Sequence, residues 1–92
     1  MTVEFVTVEV AVSRLVAIVD EVVPAFMRGD VITRPVPSAF EPWGEEVEVV
    51  IAHPVPLVAT RRLRWVFPRA AEFPWDESKV RDPLANAVSE ML

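Results

Sequence analysis

The stretch that most constrains this chain is SRLVAIVDEVVPAFMR, residues 13–28, closed by Gly29. Leu15, Ile18, Val19, Val22 and Phe26 recur at the spacing of one helical face, while Arg14, Ala17, Glu21, Pro24 and Arg28 fall opposite. That is the pattern of an amphipathic helix. Ser13 offers an N-cap hydroxyl, and Gly29 is able to close the last turn at positive φ. Pro24 is the weak point, because proline inside a helix removes a backbone hydrogen bond and collides with the preceding turn at a cost of roughly 3 kcal/mol. The helix is therefore expected to bend or break near residues 20–23. It needs an apolar sheet face to lie on, and the valine-rich flanks can supply one.

Residues 2–12 read as a strand, with Val6, Val8, Val10 and Val12 on one face and Val3 and Phe5 on the other unless a bulge intervenes. Residues 30–37, DVITRPVP, read as an edge strand that the prolines turn into an extended arm. A loop, SAFEPWG, carries Phe40 and Trp43 to a third strand, residues 45–53, with Val47, Val49, Ile51 and His53 on one face and Glu46, Glu48 and Val50 on the other. After the corner His53-Pro54-Val55-Pro56, residues 57–67 read as the fourth strand, with Leu57, Ala59, Leu63, Trp65 and Phe67 toward the core. Arg61 shares that register and needs a snorkelling path or a carboxylate. Arg62 and Arg64 are expected across from Glu46 and Glu48. Residues 69–81 read as irregular, and Asp82 and Pro83 as the N-cap and first position of a short C-terminal helix whose sticky side is Leu84, Val88, Met91 and Leu92. Residues 31–37 and 50–56 match at five of seven positions, which predicts two similar local conformations and no structural repeat.

The fold class expected is α+β: a small, mostly antiparallel sheet of about four strands, order β-α-β-β-β-α, with helix 13–28 on one face and a short C-terminal helix. Residues 1–67 form the core domain and residues 68–92 an arm and helix with no independent fold. The chain has 92 residues and no cysteine, so neither a disulfide nor a thiolate metal site supports it. It is 52% hydrophobic, and 19 of its residues are valine, a surplus that suggests apolar surface beyond what one small domain can hide. The net charge of −5 disfavours nucleic acid and anionic lipid as partners. No apolar run is long enough to span a bilayer, and MTVEF lacks a basic region ahead of an apolar one. The expected location is cytoplasmic or within a particle.

The chemistry of catalysis is sparse. His53 is the lone histidine, no G-x-S-x-G turn marks a serine, and glycine occurs twice, at Gly29 and Gly44. No catalytic residue, metal ligand or cofactor is expected. Arg61, Arg62, Arg64, Trp65 and Phe67 have the look of nucleic-acid contact, yet strand alternation aims the rings and most of the guanidinium groups apart. The features a monomer does not require are the Pro and Trp arms, so Phe40, Trp43, Phe73 and Trp75, with Leu84, Val88 and Met91 of the last helix, form the expected interaction surface. The function expected is that of a non-enzymatic assembly or protein-interaction subunit, a homo-oligomer or part of a multi-subunit particle such as a phage or virus. The alternative is a small regulator or inhibitor that binds a partner protein through an acidic edge strand or the C-terminal helix.

Overall fold

A computed structural model describes residues 2–37, 44–69 and 71–92. The first helix, α1 (Val8–Val22), begins five residues earlier than Ser13, and only Phe5–Val6, β1, remains of the strand expected over residues 2–12. The segment Val8-Glu9-Val10-Ala11-Val12 fits a strand by alternation and a helix by its spacing to Leu15 and Ile18. The helix wins because Val8, Ala11, Leu15, Ile18 and Val19 then form one continuous buried stripe. Thr7, not Ser13, is the N-cap, its hydroxyl accepting from the Val10 N–H, and Glu9 places a negative charge in the first turn.

Pro24 ends the helix as expected, after Val22, and a short 3-10 turn, Ala25–Met27, follows. Phe26 is thus turned out, 61% exposed, instead of continuing the apolar stripe. The C-terminal cap is not Gly29, which has no positive φ. Arg28 does that work: its Nε donates to the Val23 carbonyl at 2.9 Å and its Nη2 to the Asp20 carbonyl at 2.7 Å, placing a cation on the negative end of the helix. Gly29 serves another need, because a Cβ there would lie 2.7 Å from the Val50 carbonyl oxygen.

Three strands follow as an antiparallel meander: β2 (Arg28–Val36), β3 (Gly44–Ile51) and β4 (Arg61–Pro68), in the order β2-β3-β4. β2 is an edge strand, as its prolines require, with a register shift between Arg28 and Val31. β4 starts at Arg61, not Leu57. Pro54 and Pro56 lack ladder donors, the His53 Nδ1 accepts the Val55 N–H at 3.0 Å to close the corner, and Leu57 is left 95% exposed. The two similar V-I-x-x-P-V-P segments therefore differ, one extended in β2 and the other spanning the end of β3 and this corner. A second, two-stranded sheet pairs β1 with β5 (Phe73–Pro74).

The C-terminal helix, α2 (Ser78–Met91), is longer than expected and carries Pro83 inside it. Its start is held by Asp76, whose carboxylate accepts from the Ser78 N–H and hydroxyl at 3.1 and 2.6 Å. Pro83 has no N–H for the Lys79 carbonyl one turn back, and the Trp65 indole N–H on β4 donates to that oxygen at 2.9 Å. The proline thus creates an acceptor, and the sheet fills it. Trp65→Phe is expected to cost about 1 kcal/mol more beside Pro83 than in a Pro83→Ala background, where the helix supplies its own donor. Chemical denaturation of the four proteins measures this, and equal penalties in both backgrounds would contradict it.

Both helices pack on one face of the β2-β3-β4 sheet. Val47, Val49 and Ile51 of β3 join Leu15 and Ile18 of α1 and Leu84 and Val88 of α2 in one cluster. Val80, Leu84, Ala87, Val88 and Met91 of α2 are therefore part of the core, with Phe73 and Trp75 packed against it. The molecule measures 41 × 32 × 17 Å, and its thin dimension admits the sheet and one layer of helices about 10 Å across. Among the described residues, no helix or strand covers the other sheet face.

Candidate interaction surface on the open sheet face

Strand alternation sends Asp30, Ile32 and Arg34 of β2, Glu46, Glu48 and Val50 of β3, and Arg62, Arg64 and Val66 of β4 to the uncovered face. The register sets Arg34 opposite Glu46 and Arg64 opposite Glu48. Glu48 accepts from Arg62 Nη1 at 2.9 Å and from Arg64 Nε at 2.8 Å, while Arg34 approaches it at 3.9 Å and Glu46 at 3.8 Å. The expected cross-strand pairing of Arg62 and Arg64 with the acidic strand is present, and Arg34 joins it from the other side.

The arrangement is layered in depth. Glu48 is 2% exposed, whereas the side chains of Arg34, Arg62 and Arg64 are 49%, 57% and 62% exposed. The carboxylates lie beneath and the guanidinium groups form the outer rim, with Ile32 and Val50 half-buried and Val66 exposed between them. Water meets a surface of arginine edges and valine methyls. Exposed ion pairs add little to stability, so the value of this cluster lies in satisfying Glu48 and in what it presents outward.

The Glu48 carboxyl is held below its ordinary value, first by the Arg64 hydrogen bond and further by Arg62, against burial, which pushes it up. Glu4, Glu21 and Asp76 are lowered too, by Arg14, Arg81 and the Ser78 hydroxyl. Such groups bind protons more tightly in the unfolded chain. Their stabilisation is complete above the unfolded carboxylate range and is lost as pH falls through the lowered folded values. The urea midpoint is expected to be level near neutrality and to fall below about pH 4.5, with a shallower fall in Glu48→Gln. A midpoint that rises on acidification would contradict this.

The residues expected to face a partner are placed differently. Phe40 and Trp43 lie outside the described residues. Phe73 stacks on Phe67 with centroids 5.3 Å apart. The Trp75 backbone N–H donates to the Glu4 carbonyl at 2.8 Å, and the Arg14 guanidinium lies 5.7 Å from the Trp75 ring centre. Both rings pack against the chain's own core, and Leu84, Val88 and Met91 are buried in it. These five side chains are occupied at home. The open face instead belongs to residues that the sequence marks by strand alternation, with Arg34 missed because its strand was read as an arm.

The cleft of about 250 Å³ beside Trp65, Phe67, Phe73 and Trp75 and the one between Glu4, Arg14, Glu21 and Arg81 contain neither serine nor His53. The second is lined by the Arg14–Glu4 and Arg81–Glu21 pairs. Among the described residues no group of three or more His, Asp or Glu side chains could hold a metal ion, and no helix is long and apolar enough to cross a membrane. Arg61 finds its carboxylate on α2, pairing with Glu90. Comparison with known proteins finds no matching family model, no matching curated relative and no matching solved structure.

Proposed function

We propose that this chain is a non-enzymatic assembly subunit that associates with copies of itself, alone or within a larger particle such as that of a phage or virus. The observation that carries the reading is the one-sided covering of the β2-β3-β4 sheet, whose open face combines exposed guanidinium groups with valine and isoleucine side chains. A sheet face of this composition is suited to burial against a second surface: the aliphatic side chains supply contact area and the arginines direct it. Phe73 and Trp75 lend the reading less support, because their rings are partly buried against the chain's own core.

The competing reading, a regulator that binds through an edge strand or the C-terminal helix, draws less support. The acidic strand is the central β3, not an edge, and the apolar side of α2 is spent on the core. Light scattering over a concentration series tests the proposal. A mass rising above the 10.3 kDa of one chain is expected, and a constant single-chain mass at every concentration would contradict it.

A further inference from the structure

Self-association leaves open which surface meets the open sheet face, and the charge distribution answers it. Arg34, Arg62 and Arg64 share that face with Asp30, Glu46 and Glu48. Glu46 and Glu48 lie beneath, their side chains 14% and 3% exposed, so the outer layer carries three guanidinium groups against Asp30 alone, while the remaining six cations and eleven acids leave the rest of the chain at −5. The complement to this face is an acidic surface with aliphatic side chains at its centre. The outward side of α1 is such a surface.

On α1, Glu9, Ser13, Val16 and Asp20 fall within about 60° of one another around the helix, with Val10 and Ala17 beside them. All six are exposed. Val10 and Val16 are 39% and 38% exposed, and Glu9 and Asp20 stand roughly 16 Å apart along the axis. The helix is 15 residues long and the strands of the sheet eight or nine, which gives both surfaces lengths of roughly 22–30 Å. An aliphatic centre with Glu9 at one end and Asp20, 3.7 Å from Arg28, at the other faces outward on one side of the slab, and an aliphatic patch with arginines around it faces outward on the other.

We infer that copies associate head-to-tail, the Arg34, Arg62, Arg64 and Val66 face of one chain seated on the Glu9, Val16 and Asp20 face of α1 in the next. This rests on the self-association proposed above and adds the contact and its polarity. A two-fold contact is opposed on either side, since sheet on sheet would set arginine rims against each other and helix on helix would oppose Glu9 and Asp20 to their own copies. Two different patches on opposite sides of one molecule make a heterologous contact, which closes into a ring or extends as a filament.

Two substitutions at exposed positions separate the halves of the contact. Val66→Glu sets an acid on the sheet face, and Val16→Lys sets a cation on the helix face. Each variant alone is expected to associate at least roughly tenfold more weakly than the parent chain, with an unchanged thermal midpoint showing that the fold is kept. Mixed in equimolar amounts, they are expected to regain association to at least twice the chain mass, because the first retains an intact helix face and the second an intact sheet face. The parent chain supplies a measurement independent of any substitution: its association is expected to weaken as sodium chloride is raised.

Undiminished association of both variants, or a mixture that stays monomeric while the parent assembles, overturns the head-to-tail contact and leaves self-association standing. Parent association that is indifferent to salt overturns it likewise. A parent chain that is monomeric throughout removes both proposals. Tight capture of a labelled single-stranded oligonucleotide by the parent chain, lost in Val66→Glu, assigns the arginine face to nucleic acid and overturns the contact as well.

Discussion

A chain ending at Phe67 is expected not to fold. α2 supplies Val80, Leu84, Ala87, Val88 and Met91, five of the seventeen buried hydrophobic residues among those described. The cut also removes β5, the partner of β1, and Phe73, which stacks on Phe67. Burying a large aliphatic side chain contributes about 1.5–3 kcal/mol, so losing Val80, Leu84, Val88 and Met91 forfeits roughly 6–12 kcal/mol, as much as the whole stability of a small domain. Circular dichroism during a temperature ramp is the check: the parent chain should melt cooperatively and the truncated one should show no transition. A truncated chain that keeps a sigmoidal melt would mean that the two helices do not share one core.

Within α1 two adjacent residues are expected to behave very differently. Leu15 is fully buried and Val16 is 38% exposed. Leu15→Ala removes side-chain atoms from a packed interior and should cost about 2–5 kcal/mol, whereas Val16→Ala in the monomer should stay within about 0.5 kcal/mol, alanine's helix propensity partly offsetting the lost methyl groups. Urea denaturation at a chain concentration low enough to keep the protein monomeric separates the two. Equal penalties would show that α1 is rotated about its axis from the position described.

How much of this was legible follows from where two local rules agreed. Pro24 stops α1 at Val22, Pro35 suits β2 to an edge, and the alternation of Glu46 and Glu48 against Arg62 and Arg64 sets a cross-strand pairing that the register of β3 and β4 reproduces. The α+β class with an antiparallel sheet came from the same signals. Where local rules conflicted, tertiary packing decided. Residues 8–12 satisfy two periods at once, and only the joining of Val8 and Ala11 to the Leu15 stripe selects the helix. Pro83 marks a helix start by local preference, yet it sits in the interior because Trp65, distant in sequence, satisfies the carbonyl it frees.

The interaction surface was the harder part. Tryptophan and proline in a loop look the same in sequence whether they fold back or reach out, and Trp75 folds back because Glu4 and Arg14 receive it. Arg34 in an arm and Arg34 in an edge strand also read alike. Only the strand order reveals that it completes a rim with Arg62 and Arg64 around Glu48. The exposure of that rim depends in turn on both helices choosing the same side of the sheet, which no single segment announces.

The most direct test of the account is the reactivity of one introduced thiol. The chain has no cysteine of its own, so Val66→Cys places a single probe on the open face, where it reports whether that face is uncovered in the single chain and covered in the assembly. The expected result is rapid reaction with a charged thiol reagent at high dilution, protection that grows with protein concentration in step with the assembled fraction, and release of that protection by salt. A thiol that is slow at every dilution would contradict the one-sided covering of the sheet, and one that is fast at every concentration would contradict its use in assembly.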